Sequence, residues 1–241
     1  MAKYKVLSTK KLDPLLIEQA KKDDIEIIEQ EAIKVTTILS KEKWQEIFQV
    51  IEDKKKFVVF TSSNAVFAIN KYLNDYINPF PVHWKIFSLS GKTKESLENI
   101  NAVGQIIATA DNSKELAETI LQSKSEEVIF FCGNKRRDEL PSILKHAGIK
   151  VQEIVVYDTI ETPTPADTDI DAALFFSPSA VQSFFSINQL KETVVCFAIG
   201  QTTANSIAVC ANNKIISSKT SSQEALLQEV INYFKCLVGY N

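Results

Sequence analysis

The residues of this 241-residue chain best placed to do chemistry are small hydroxyls and amides gathered in short loops. Five such loops stand out: Thr61-Ser62-Ser63-Asn64, Ser90-Gly91-Lys92-Thr93, Gly133-Asn134-Lys135-Arg136-Arg137, Ser177-Pro178-Ser179 and Gly200-Gln201-Thr202-Thr203. Each follows a short apolar run and opens into a helical pattern. A helix N-terminus offers unpaired N–H groups and a dipole that favour anions. Ser, Thr and Asn are also the preferred helix caps, so any one loop reads as ordinary capping. Their repetition along the chain is what points to a binding surface for an anionic small molecule. Tyr157 is the remaining candidate. It ends a long strand pattern over 149–157, immediately before a stretch rich in Pro and Thr, and is expected either to face a cleft or to be a buried, hydrogen-bonded core tyrosine.

Several chemistries are absent. Ser90-Gly91-Lys92-Thr93 has the ending of the phosphate loop GxxxxGK[ST], but Ile86 stands where its first glycine belongs. No GxGxxG follows the first strand, and no GxSxG elbow presents Ser62 or Ser177 as a nucleophile. The two histidines, His83 and His146, lie in no ligand spacing, and no metal site is expected. His146 reads as a favourable charge at a helix C-terminus. Cys132, Cys196, Cys210 and Cys236 share no CxxC spacing and are expected to be buried, reduced thiols. A formal net charge of −3 argues against a dedicated nucleic-acid binder. No signal-peptide pattern opens the chain, and apolar runs such as Phe57–Phe60 are far too short to span a membrane. A cytoplasmic protein is expected.

These loops need a scaffold that aligns them. Short β-branched and aromatic runs at 4–8, 25–29, 57–61, 85–89, 105–108, 127–132, 149–157, 172–176, 194–198 and 213–217 read as strands. Helical patterns lie between them, among them Leu12–Lys22, Asn64–Leu73, Ser113–Gln122, Asp138–His146 and Ser179–Phe185. Alternation of this kind predicts parallel α/β units.

The chain also repeats itself. Phe60-Thr-Ser-Ser-Asn-Ala-Val66 matches Phe175-Phe-Ser-Pro-Ser-Ala-Val181, Leu89-Ser-Gly-Lys-Thr93 matches Ile199-Gly-Gln-Thr-Thr203, and Ser113-Lys-Glu-Leu116 matches Ser222-Gln-Glu-Ala225. The offsets are 115, 110 and 109 residues, a drift that lengthening loops explain. A fourth match is permuted: Leu16, Ala20, Asp24, Ile25 and Ile27 precede Leu140, Leu144, Gly148, Ile149 and Val151 by 124 residues. The economical model threads one domain into the other. Residues 1–33 with 163–241 form a discontinuous domain and 37–158 the inserted one, with linkers at 31–37 and 158–168 and two sets of loops facing one cleft.

The segment from Phe131-Cys-Gly-Asn-Lys-Arg-Arg to Val-Val-Tyr157-Asp-Thr159 resembles the uroporphyrinogen-III synthase family, whose pattern has a Gly, an Arg before a Leu-rich helix, a Gly-x-x-Val and then a Tyr followed by Thr. The Thr-Ser-Ser-Asn-Ala-Val, Ser-Pro-Ser-Ala-Val and Ile-Gly-Gln-Thr-Thr-Ala segments are similar to that family in the same order. The resemblance implies a fold class of α/β: two similar parallel-sheet α/β domains (flavodoxin-like), one inserted in the other, joined by a two-stranded linker. It implies closure of the linear tetrapyrrole hydroxymethylbilane, a polycarboxylate, to uroporphyrinogen III with inversion of ring D, without metal or redox cofactor. A monomer with a small-molecule substrate is expected, with no nucleic-acid or membrane partner. Family members often carry Thr-Arg after the first strand, whereas this chain reads Ser8-Thr9-Lys10-Lys11, which keeps the charge but not bidentate carboxylate binding.

On this reading Tyr157 is the expected catalytic proton donor. Thr61, Ser62, Ser63, Asn64, Ser90, Gly91, Thr93, Gly133, Asn134, Lys135, Arg137, Ser177, Pro178, Ser179, Gly200 and Thr203 are expected to bind substrate carboxylates or to order the loops that do. The rival is a non-catalytic two-lobed module that binds or senses a small anion.

Overall fold

The computed structural model describes residues 3–38, 40, 45, 57–76, 84–100, 104–167 and 169–238. His83 lies outside them. Chain contacts divide the molecule into two units, Met1–Lys34 with Ile160–Asn241 and Val35–Thr159.

The first unit holds a five-stranded sheet. Its strands are β1 (Tyr4–Ser8), β2 (Ile25–Glu29), β9 (Ala172–Phe175), β10 (Val195–Ala198) and β11 (Ile215–Ser217), in the order β11-β10-β9-β1-β2. Every pairing is parallel. The helices are α1 (Pro14–Lys22), α6 (Pro178–Phe185), α7 (Gln201–Cys210) and α8 (Gln223–Val238). Strand residues alternate between two cores. Val6, Ala172, Leu174 and Phe197 join one apolar cluster, while Leu7, Ala173, Phe175 and Cys196 join the other. A sheet covered on both faces needs such near-continuous apolar strands.

The second unit repeats the plan. Its strands are β3 (Ile33–Thr37), β4 (Phe57–Phe60), β5 (Lys85–Leu89), β6 (Gln105–Ala110), β7 (Glu127–Gly133) and β8 (Lys150–Glu161), ordered β3-β8-β7-β4-β5-β6. Its described helices are α2 (Ser63–Tyr76), α3 (Lys92–Glu98), α4 (Ser113–Gln122) and α5 (Glu139–His146). Val58 and Phe60 of β4 enter one core and Val59 the other.

The two sheets correspond strand for strand once the permutation is allowed. Reading β2-β1-β9-β10-β11 against β8-β7-β4-β5-β6 places each sequence match at the same strand end. In both sheets the direction of winding reverses between the two central neighbours, β1/β9 in one and β7/β4 in the other. Ligands of open parallel sheets bind outside the strand carboxyl ends at this reversal.

At the crossings, residues 33–37 of the expected linker form a strand, and β8 continues four residues past Tyr157 to Glu161. The hydrogen bonds Ile38 N→Val156 O (3.3 Å) and Thr162 N→Ala32 O (3.0 Å) run with falling partner number, so β3 and β8 pair antiparallel. Each strand is sustained by the other. Among the described residues no helix is long and apolar enough to cross a membrane.

Of the cysteines, Cys132 and Cys196 are buried as expected, but Cys210 and Cys236 are exposed. Cys210 ends α7 and Cys236 lies on the outer face of α8. An apolar neighbourhood in sequence does not fix which face of a helix a residue takes. All four are free thiols.

Candidate active site

In the second unit, the loops after β4 and β7 flank the winding reversal. Ser62 caps α2: its Oγ accepts from Asn64 N at 3.1 Å and its carbonyl from Ala65 N and Val66 N. That leaves the Ser63 N–H, first in the helix, with no partner among the described residues. Thr61 and Ser63 are half-buried and Asn64 is exposed.

Tyr157 reaches this cap from β8. Its hydroxyl donates to Ser62 Oγ at 3.1 Å. Burial pushes the phenol pKa up, only partly offset by its polar neighbours Ser62 and Asn64. Its proton is therefore firmly held at neutral pH.

Gly133 makes room for the ring. A Cβ at Gly133 would collide with the Tyr157 ring and lie 2.8 Å from its hydroxyl oxygen. The β7–β8 register shifts at this point, so that Gly133 lies opposite Tyr157. The bulge turns the tyrosine over the glycine, and the strand end and the phenol form one unit. Asn134 then fastens the loop. Its backbone N donates to Tyr157 O (3.2 Å), its Oδ1 accepts from Thr159 N (2.8 Å) and its Nδ2 donates to Thr159 O (3.4 Å). The side-chain amide thus continues the ladder where the strand has ended.

The three basic residues of this loop do not share one role. Arg136 is paired with both Asp138 and Glu153, and Glu153 also holds Lys145 at 2.6 Å. Its charge is neutralised, and the sequence reading does not place it among the substrate-binding residues. Arg137 is exposed and has no ion-pair partner among the described residues. Lys135 is exposed as well. Glu153 and Asp138, which organise this network, were not singled out from sequence. Neither lies in a recognisable motif, and Glu153 meets Arg136 only because β7 and β8 pair.

The third loop of this unit is built differently. Ser90 Oγ lies 3.1 Å from Ala110 O and also contacts the Asp111 carboxylate, a group that repels anions. Gly91 adopts φ +66°, a left-handed conformation that side chains resist. Thr93 is buried in the first turn of α3.

The first unit has the corresponding caps. Ser177 Oγ accepts from Ala180 N at 3.1 Å, with Pro178 opening α6 and Ser179 half-buried beside it. Gly200 precedes α7, and Thr203 is buried in that helix as Thr93 is in α3. The first unit has no counterpart of the tyrosine. At the 124-residue offset, Thr9 stands for Gly133 and Ile33 for Tyr157. Thr9 is buried and its Oγ1 donates to Leu174 O at 2.8 Å. Lys11 of the same loop lies 3.8 Å from Glu31.

Geometry thus brings Ser62, Asn64, Gly133, Asn134 and Tyr157 together in one unit, with Arg137 on the adjoining loop. Ser177 to Ser179, Gly200 and Thr203 belong to the other. His146 closes α5, its Nδ1 2.7 Å from Ser142 O. Among the described residues no cluster of His, Cys, Asp or Glu could hold a metal.

Comparison with known proteins converges on one family. The model of the HEM4 family, uroporphyrinogen-III synthase HemD, matches residues 15–228. The fold is similar to the crystal structure of uroporphyrinogen-III synthetase from Helicobacter pylori 26695, with a TM-score of 0.67 at 16% identity, covering 95% of this chain and 99% of that one. It is also similar to a mutant uroporphyrinogen III synthase from the extremely thermophilic bacterium Thermus thermophilus, with a TM-score of 0.66 at 13% identity, covering 98% and 99%.

Proposed function

The chain belongs to the uroporphyrinogen-III synthase family, and from that premise we propose that Tyr157 donates the proton with which the terminal hydroxyl of hydroxymethylbilane leaves as water. Membership makes the protein an enzyme of tetrapyrrole (haem) biosynthesis whose substrate is a linear tetrapyrrole. The step is a lyase step. The C–O bond breaks, water departs and an electrophilic azafulvene remains. Ring D then attacks through its substituted carbon to give a spiro intermediate. The bond from that carbon to the ring C bridge breaks, and the bridge rebonds at the free α-carbon of ring D. The proton lost there restores the Tyr157 phenol. Direct closure would give the symmetric isomer I, so the site must hold ring D in one orientation.

The observation that carries this reading is the Tyr157–Ser62 hydrogen bond at the start of α2. The phenol is neutral, packed over Gly133 and bonded to the cap of a helix whose first N–H has no partner among the described residues. To serve the substrate it must release Ser62, exchanging one hydrogen bond of about 1 kcal/mol for another. Its raised pKa makes it a weak acid that gives its proton only as the leaving oxygen develops charge.

Substrate carboxylates are held, on this proposal, by N-terminal turns and loops. In the second unit these are Thr61 to Asn64 with Gly133, Asn134, Lys135 and Arg137; in the first, Ser177 to Ser179 and Gly200 with the backbone before Thr203. Arg137, which has no ion-pair partner among the described residues, supplies a cation. Ser90 and Gly91 shape their loop, since Asp111 already faces the serine. Ile33 rather than a tyrosine stands at the position equivalent to Tyr157 in the first unit, which supports placing proton transfer in the second.

The test is production of uroporphyrinogen III against isomer I from hydroxymethylbilane, resolved by isomer. Isomer III above the spontaneous background supports the enzyme. Isomer I alone favours the non-catalytic anion-binding module.

A further inference from the structure

Phe67 is 64% exposed in α2. The buried stripe of that helix is Ala65, Val66, Ala68, Ile69, Tyr72 and Leu73, all in one apolar cluster. Phe67 does not belong to it. It shares the outer face with Ser63, Asn64, Lys71 and Asn74, where every other residue is polar. The internal repeat supplies a control. The 115-residue offset that aligns the β4 and β9 loops puts Gln182 of α6 at the position of Phe67, and Gln182 is exposed. The fold therefore does not require an aromatic residue there.

Helical side chains lean toward the N-terminus and cover the preceding turn. For Phe67 that turn carries Ser63 and Asn64, beside the cap that receives the Tyr157 hydroxyl. That lean directs an apolar ring toward the turn whose cap receives the phenol and whose first N–H has no partner among the described residues.

We propose that Phe67 is a substrate-contact residue, a platform for the face of one pyrrole ring of the bilane. The inference rests on the enzymatic reading above. A pyrrole with acidic arms needs an apolar surface for its ring and anion-binding groups at its margin. Phe67 and the start of α2 supply both within one helical turn, and aromatic rings favour offset or edge-on contact of this kind. The α6 counterpart, with glutamine, offers only the margin. Phe67 thus biases which ring lies nearest Tyr157.

Steady-state kinetics on hydroxymethylbilane with isomer analysis test this in the full chain, using Phe67→Gln and Phe67→Trp. Phe67→Gln is expected to raise KM about tenfold and to lower the fraction of isomer III, with an unchanged melting temperature. Phe67→Trp is expected to keep both near wild type. A Phe67→Gln variant with wild-type KM and isomer ratio overturns the inference, as does a Phe67→Trp variant no better than Phe67→Gln. Wild-type protein that yields only isomer I removes the enzymatic reading itself, a distinct outcome read from a distinct sample.

Discussion

Tyr157 donates its hydroxyl hydrogen to Ser62 Oγ at 3.1 Å, which ties β8 to the cap of α2 across 95 positions of sequence. The same Ser62 oxygen accepts from Asn64 N. A change at the phenol is therefore felt at the helix start, where an anion would be received.

Replacing Tyr157 by Phe removes the proton and keeps the ring over Gly133. Turnover of hydroxymethylbilane is expected to fall on the order of a hundredfold. Stability should drop by only about 1 kcal/mol, the value of one hydrogen bond. Single-turnover rates and thermal melting check the two halves. Undiminished turnover would take Tyr157 out of the mechanism.

Gly133→Ala places a methyl group where the Tyr157 ring lies. The expected cost is about 1–3 kcal/mol of stability through overpacking, with activity falling at least as far as in Tyr157→Phe. Combining Gly133→Ala with Tyr157→Ala should relieve the clash, so the two stability changes will not add. Additive denaturation midpoints would show that glycine and ring are not coupled.

Much of this architecture was legible beforehand, and the exceptions share a cause. The paired loops and the permuted repeat could be read because β4, β9 and β10 are buried on both faces and so carry unbroken apolar runs. Ile33–Thr37 carries no strand pattern of its own, and only the resemblance implied a two-stranded linker there, because its residues are mostly exposed and its pairing with β8 is supplied by residues more than a hundred positions away. The extension of β8 past Tyr157 has the same origin. The glycine under the ring was visible only as a loop glycine. A register shift put it there, and register is a property of two strands. Phe67 was the reverse case: its departure from the α2 stripe is a matter of helical period alone, yet an apolar residue in an apolar helix draws no notice.

The arginines should separate in kinetics. Arg137→Ala is expected to raise KM about tenfold, the loss of one charge-assisted hydrogen bond, with the melting temperature unchanged. Arg136→Met removes the partner that Glu153 shares with Lys145 and should cost about 1–2 kcal/mol of stability. Arg136→Lys should recover little, since a lysine cannot bridge Asp138 and Glu153 as a planar fork does. Equal effects of Arg136→Met and Arg137→Ala on both quantities would contradict this division.

Alkaline pH should destabilise the fold through its buried thiols. Burial pushes the Cys132 thiol up to about 11, with the Arg136 guanidinium pulling the other way, and the Cys196 thiol up to about 12, each from 9.0. The folded state then keeps protons that the unfolded chain releases. This contribution to stability is whole below pH 9.0 and falls as pH rises from there toward those values. Tyr157, raised by its own burial, adds to the decline from pH 10.0 upward. Urea midpoints from about pH 7 to about pH 11 should show this slope, and Cys196→Ala should flatten it. A midpoint that stays level across that range would contradict the burial argument.

The antiparallel crossing of β3 and β8 has a consequence for synthesis on the ribosome. β1 sits inside its sheet, where Val6 pairs with Ala172, so the first strand made must wait for residues beyond Ile170 to emerge. The inserted unit, by contrast, is complete once β8 has left the exit tunnel. It is expected to fold first, and by zipping β3 to β8 it delivers the waiting β1-α1-β2 segment to the start of β9. Birth order thus runs from the inside of the chain outward, with the tyrosine-bearing unit as the template.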